Sequence, residues 1–238
     1  CDIGDVVQVR ESSTPGLVID SIIGADNIPL EPEKNVCTVA AQALLNSLEK
    51  KPSNGYSFSI TKKVAAGSGL GSSASSSAAA VVALNELLGS PFSRHELIPF
   101  AMKGEALASG TEHADNVAPS ILGGFTLVQS YEPLRVVNLH YPEDLVATIV
   151  HPHVEVKTAD SKRILRQNIP LKTAITQWAN VGGLVAGLAQ EDFELICFDF
   201  VSNPSTHGAF LKPMNESINK NTKQNYKKVN DIITSDPK

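Results

Sequence analysis

The sequence predicts an α+β protein, and three observations carry that assignment. Two strand-like segments, residues 6–10 and 17–23, precede a segment of helical period at 35–48. A third strand-like segment, 56–61, leads into the glycine and serine turn Gly67-Ser68-Gly69-Leu70-Gly71-Ser72-Ser73, which runs directly into an alanine-rich helix at 74–88. Beyond Pro91, Ser93-Arg94-His95-Glu96 has the spacing of a capping box and starts a helix reaching about Ala108.

Each element has a face to bury. Val36, Val39, Ala40, Ala43 and Leu44 share one side of the first helix, and Val81, Val82, Leu84, Leu87 and Leu88 are available for a core on the second. Residues 123–130, 135–139 and 145–150 read as strands, with Tyr131-Glu132-Pro133 as the turn between the first two. Residues 158–165 and 171–188 read as helices; Trp178 in the latter and Met102 in the capped helix are expected in a core. Composition changes after about residue 200, and the Asn/Lys-rich stretch 215–238 has too few apolar residues to bury, so poor order is expected there.

Composition excludes several classes. The chain of 238 residues carries 20 Lys and Arg against 25 Asp and Glu, a net charge of −5, with the basic residues dispersed through most of its length. A nucleic-acid partner therefore has little electrostatic support. No apolar run is long enough to span a bilayer, and Cys1-Asp2-Ile3-Gly4-Asp5 does not form a signal peptide, so a soluble cytoplasmic protein without a membrane partner is expected. Cys1, Cys37 and Cys197 are odd in number and widely spaced, which favours reduced thiols over disulfides or zinc. His151 and His153 have no carboxylate or cysteine nearby and read as loop residues rather than metal ligands. A start inside a strand-like segment, without an initiator Met, reads as a fragment.

The glycine turn is the strongest chemical signal. Three glycines let the backbone take positive φ and approach a ligand closely, and the following helix aims its unpaired amides and positive dipole end at the turn. That is a place to hold phosphate. Neither the P-loop nor the dinucleotide spacing is present, so the charge must be met by backbone amides, the hydroxyls of Ser72 and Ser73, and a metal ion. A flexible linker would have similar composition, but this run is bracketed tightly by a strand and a helix.

A second constellation lies in Gly104-Glu105 through Thr111-Glu112-His113-Ala114-Asp115-Asn116-Val117-Ala118-Pro119, closed by Gly123-Gly124. Glu105 could be a solvated helix residue, and Asp115 an N-cap for a short helix starting near Asn116. Beside a phosphate turn, the same residues could ligate a metal and orient an attacking hydroxyl, which is what phosphoryl transfer requires. Ser72, His113 and Asp115 do not make a hydrolase triad, because the Gly-x-Ser-x-Gly of a nucleophile elbow is absent.

These two blocks resemble the homoserine kinases of the GHMP small-molecule kinase superfamily, over about residues 1–195. Gly67 to Ala74 is similar to the superfamily's phosphate-binding motif; Gly104-Glu105, His113-Ala-Asp-Asn-Val-Ala-Pro119 and Leu122-Gly-Gly-Phe-Thr126 are more specific to the family. The resemblance implies a two-layer α/β architecture with an N-terminal ribosomal-protein-S5-like domain and a partial ferredoxin-like C-terminal domain. It divides the chain into 1–140, an ATP-binding domain lacking its first strand or strands; 141–200, a partial C-terminal domain; and 201–238, a divergent tail. It implies ATP-dependent phosphorylation of the L-homoserine hydroxyl on the way to threonine, with ATP and Mg2+ required and a homodimer left open. On the matching positions, residues 67–73 and Asn35 bind the nucleotide, Asn35 near the adenine. Ser73 and Glu105 hold magnesium. Asp115 and Asn116 act at the substrate, whose site also includes Thr158, Lys162 and Arg163.

The chain departs from the family in three places. Lys162, followed by Arg163, stands where the family has the arginine that binds the substrate carboxylate, and lysine is not a bidentate clamp. Ala65 replaces a Pro or Lys before the glycine turn. The family's N-terminal Pro-x-Ser-x-Ala-Asn segment and C-terminal Ser-Gly-Ser-Gly-Pro turn are absent, which reads as truncation at both ends and keeps a non-catalytic ATP-binding remnant as an alternative. Another GHMP kinase, such as a mevalonate or shikimate kinase, is the further alternative, opposed by the His-Ala-Asp-Asn block.

Overall fold

The computed structural model describes residues 4–64, 70–145 and 168–190. All but the first residue of the expected strand at 145–150, the helix at 158–165 and the tail at 201–238 lie outside these residues, as do Cys1, His151, His153 and Cys197.

Three strands form the first sheet: β1 (Val6–Ser12), β2 (Leu17–Ile23) and β3 (Gly55–Thr61). β3 is central, antiparallel to β1 and parallel to β2. Its alternation decides which face is buried, since side chains two apart share a face. Tyr56, Phe58 and Ile60 point into the core, and their partners Val7 and Val9 on β1 and Leu17 and Ile19 on β2 extend that face. Continued alternation on β2 would bring Ser21 inward; a register shift between Ile19 and Ser21 places Ile22 opposite Ile60 instead. One extra residue, Asp20, thus keeps an apolar side chain on the core side.

Helices cover this face. The 3-10 turn Pro32–Lys34 leads to α1 (Val36–Asn46), capped by Asn35, whose Oδ1 accepts from the Cys37 amide at 3.0 Å. Its buried residues are Cys37, Thr38, Ala40, Ala41 and Leu44, a wider arc than the expected face, on which Val36, Val39 and Ala43 are only half-buried. The reason is that α1 packs on two further helices, α2 (Ser72–Leu87) and α3 (Arg94–Ser109). Small residues line α2, with Ala74, Ser76, Ser77, Ala78 and Ala80 all buried, so its neighbours can come close. Asn85 joins α2 to the α3 approach, donating to the Phe92 carbonyl at 3.0 Å and accepting from the Phe92 amide at 3.1 Å.

The capping box forms as the spacing predicts. The Ser93 hydroxyl accepts from the Glu96 amide at 3.4 Å and the Glu96 carboxylate accepts from the Ser93 amide at 2.8 Å. The short helix α4 (Val117–Leu122) packs on α2 and α3 and leads to an antiparallel pair, β4 (Phe125–Tyr131) and β5 (Leu134–Leu139), turned at Glu132-Pro133. Met102 is buried as expected. The last described element, α5 (Leu171–Gln190), buries Ala174 and Leu188 and leaves Trp178 65% exposed, so the tryptophan is not the core residue expected from its position. Helical spacing identifies the apolar stripe of α5 but not how much of it is covered.

Candidate active site

The first turn of α2 is the centre of the site. Gly71 caps this 16-residue helix at φ 71° and ψ 41°, in the left-handed region that a glycine occupies without steric cost. A Cβ built on Gly71 would lie 3.2 Å from both Cβ and Cγ of Asn116. The absent side chain therefore serves the turn and also lets the end of the glycine loop rest against Asn116. The amides that open α2 have no intrahelical carbonyl to bond, and the helix dipole adds partial positive charge at the same place. Leu70, Gly71, Ser72 and Ser73 are described; Gly67, Ser68 and Gly69 lie outside the described residues.

The two serines of this turn differ. Ser72 donates its hydroxyl proton to the Val64 carbonyl at 2.8 Å, spanning the base of the loop. Ser73 is half-buried. On α3, Glu105 is only 8% exposed, which sets aside its reading as a solvated helix residue. Gly104 explains how Glu105 comes inside. A Cβ there would meet the Val36 carbonyl, Ser77 Oγ at 2.6 Å and Ala40 Cβ at 2.9 Å, so α3 approaches α1 and α2 at a point no larger residue could occupy. Ser77 is one turn from Ser73 on α2, and Glu105 follows Gly104 on α3.

Asp115 and Asn116 are exposed, side by side. Asn116, not Asp115, is the N-cap residue of α4, and it makes no side-chain cap bond; Asp115 instead accepts the Asn116 amide at Oδ1, at 3.1 Å. The helix opens at Val117, one residue later than an Asp115 cap would require. Nearby, Thr111 Oγ1 and His113 Nε2 are 2.6 Å apart, the Ala114 amide donates to the Tyr131 hydroxyl at 3.3 Å, and exposed Lys103 and Glu112 form an ion pair. These contacts hold the segment that carries Asp115. Asn35 is 1% exposed, with its Nδ2 donating to the Pro29 carbonyl at 2.9 Å while Oδ1 caps α1. Its amide thus orders the segment ahead of α1. Thr158, Lys162 and Arg163 lie outside the described residues.

Behind the loop lies a buried charged cluster that motif reasoning misses. Lys62 and Asp5 form an ion pair with side-chain exposures of 5% and 0%. Lys62 Nζ also donates to the Ser72 carbonyl at 3.0 Å and to Ser76 Oγ at 2.8 Å, and Ser76 donates to Asp5 at 2.6 Å. Burial works against the Asp5 charge, but hydrogen bonds from Lys62, Ser76, Val64 and Lys63 outweigh it and hold the carboxyl below its ordinary pKa. The sequence contains a signal for this pair. Lys62 continues the inward alternation of Tyr56, Phe58 and Ile60, and one step beyond the Val6–Thr61 pair the β1–β3 register sets Asp5 opposite Lys62. A lysine on the inward face of a strand needs a counter-charge. Buried Cys37 beside this cluster is a free thiol pushed up to about 12 by burial, so it stays protonated and is no nucleophile at neutral pH.

Residues 35–124 match the family model for the GHMP kinases N terminal domain. The chain is 44% identical over 202 residues to a homoserine kinase of Chloroherpeton thalassium, covering 81% of this chain and 63% of that protein. It is 45% identical over 207 residues to a homoserine kinase of Chlorobium phaeobacteroides, covering 83% and 64%. The crystal structure of a homoserine kinase from Cytophaga hutchinsonii superposes with a TM-score of 0.76 at 50% identity, over 81% of this chain and 61% of that one. By these matches the chain is similar to the homoserine kinases, with a GHMP kinase N-terminal domain at residues 35–124. The α+β arrangement of the described residues is the one the sequence predicts. It spans less than two thirds of the length of these relatives. No helix among the described residues is long and apolar enough to cross a membrane.

Proposed function

We propose that the protein transfers the γ-phosphoryl group of ATP to the hydroxyl of L-homoserine, forming O-phospho-L-homoserine and ADP. The observation that carries this reading is the seating of Gly71 against Asn116. It puts a helix N-terminus suited to phosphate next to an exposed Asp-Asn pair suited to a small polar substrate, and phosphoryl transfer needs donor and acceptor side by side. The names of the relatives, homoserine kinases at 44% and 45% identity, supply the substrate.

In this reading the loop 67–73 cradles the triphosphate with backbone amides, and Asn35 acts near the adenine by ordering the segment that ends at α1. Asp115 and Asn116 bind the homoserine ammonium and orient its hydroxyl. Thr158, Lys162 and Arg163 complete the substrate site, with the two cations facing the substrate carboxylate. Ser73 and Glu105 fit a magnesium ion, because a hydroxyl and a carboxylate are hard oxygen donors and Glu105 is held inward by the packing at Gly104. Magnesium would neutralise charge on the phosphates and draw its remaining oxygens from them and from water. Residues 1–140 act as the nucleotide-binding unit and 141–200 as part of a second unit. A cytoplasmic location and a homodimer belong to the same reading.

A coupled ADP-release assay tests it, run on this chain and on a version extended to the full length of the relatives. Homoserine-dependent ADP release that requires Mg2+ is expected from the extended version. ATP binding without homoserine-dependent release in both would instead identify a nucleotide-binding protein without transfer, and release with mevalonate but not homoserine would reassign the substrate.

A further inference from the structure

We infer that Asp5 and Lys62 are positioning residues for the phosphate loop: the buried pair holds the two ends of the loop at a fixed separation and never touches the nucleotide. The inference rests on the phosphoryl-transfer reading of that loop. Asp5 controls the start. Its Oδ1 accepts the Lys63 amide at 2.9 Å and the Val64 amide at 3.1 Å, the two residues before the turn. Lys62 controls the finish, giving one N–H to the Ser72 carbonyl at 3.0 Å and another to Ser76 at 2.8 Å, with the third directed to Asp5. All three ammonium donors are thereby used within the protein. The Ser72 hydroxyl closes the base by donating to Val64.

Both ends of the turn are therefore tied to one ion pair formed between residues 57 apart in sequence. A glycine-rich loop loses more conformational freedom on ordering than any other, and ordering its ends in advance removes part of that cost from ligand binding. An ion pair is a poor choice for stability alone, because a buried pair is about matched by apolar residues of similar volume. It is a good choice for fixing geometry, since only these groups can accept the Lys63 and Val64 amides and donate to the Ser72 carbonyl together. Side-chain exposures of 0% and 5% keep both residues from the ligand itself.

The double variant Asp5→Leu with Lys62→Met removes the ties while filling the space. Hydrogen exchange at the described amides of residues 62–64 and 70–72 should accelerate by about tenfold or more, the loss of one or more ties, while amides of β3 before residue 61 and of α1 keep their protection. The dissociation constant for MgADP should rise by a similar factor of about ten. Should that variant not fold, Ser76→Ala removes only the hydroxyl bridging the pair and should show both changes in the same direction by about threefold. Parental exchange at the loop ends and parental MgADP affinity in a folded variant would overturn the inference. If the parent chain binds no MgADP, the phosphoryl-transfer reading of the loop fails, and the exchange measurement still decides whether the pair ties its ends.

Discussion

Two polar clusters meet the first turn of α2, one at Ser72 and one at Gly71, and they are built on opposite terms. Asp5, Lys62 and Ser76 are buried, with the hydrogen-bonding capacity of the lysine spent inside the protein. Asp115 and Asn116 are exposed, and among the described residues the Asp115 carboxylate is engaged only locally, at the amide of the next residue. The contrast teaches which polar residues frame a site and which are left to meet a ligand. A buried charge with all its partners supplied is part of the frame; an exposed one on a rigid segment is addressed outward. Substitution should therefore separate the two, with stability responding at one cluster and substrate response at the other.

The largest effect is expected for Lys62→Met alone, which leaves the Asp5 carboxylate buried without its counter-ion. Breaking such a pair from one side costs about 3–5 kcal/mol, readable as a shift in the urea midpoint at unchanged slope. A cost below about 1 kcal/mol would mean that Asp5 finds water or a proton readily and that the frame is softer than its burial indicates. Glu105→Gln comes next. It keeps the shape and removes the charge proposed for magnesium, so homoserine-dependent turnover should fall by about 10²- to 10³-fold, on the scale of losing one electrostatic contact at a reacting centre. Unaltered magnesium dependence would return Glu105 to the frame.

Asp115→Asn sharpens the other side of the comparison. Unfolding free energy should move by no more than about 0.5 kcal/mol, as for surface sites, while the KM for homoserine rises about tenfold and that for ATP changes little. Equal homoserine KM in variant and parent would remove Asp115 from the substrate site. The smallest effect is in acid. The Asp5 carboxyl is held below its ordinary value of 3.8, so the unfolded chain takes up this proton first as pH falls. Its contribution to stability is complete above about pH 4 and is lost as pH drops through the lower folded value. As pH falls below about 4 the parent should therefore lose stability relative to the Asp5→Leu/Lys62→Met variant, which has no carboxyl to protonate there; a difference that does not change with pH would show that the carboxyl is not depressed.

How much of this is legible in the sequence depends on how local each cause is. The capping box at Ser93 and Glu96, the alternation of Tyr56, Phe58 and Ile60, and the turn at Glu132-Pro133 each act within a few residues, and the structure has each where the sequence puts it. The buried arc of α1 and the exposure of Trp178 depend on which other elements pack against a helix, and periodicity carries no such information. A cap at Asp115 misses by a single residue, because helix starts are decided by backbone angles that several neighbouring polar residues could serve. Asp5 and Lys62 escape notice for a different reason. Each looks like an ordinary charge at the end of a strand, and only the pairing of β1 with β3 turns them into one object.

Gly104 has a consequence that reaches the chemistry from behind. The absent side chain sets how near α3 can lie to α1 and α2, and Glu105 is the next residue on that helix. The depth of the proposed metal ligand is then a matter of interaxial spacing, fixed by a residue that faces the two neighbouring helices. A single methyl group added at this point would act as a wedge, moving a carboxylate relative to Ser73 without altering either donor. In this fold the reach of an acidic side chain is measured out by a hydrogen atom on the residue before it.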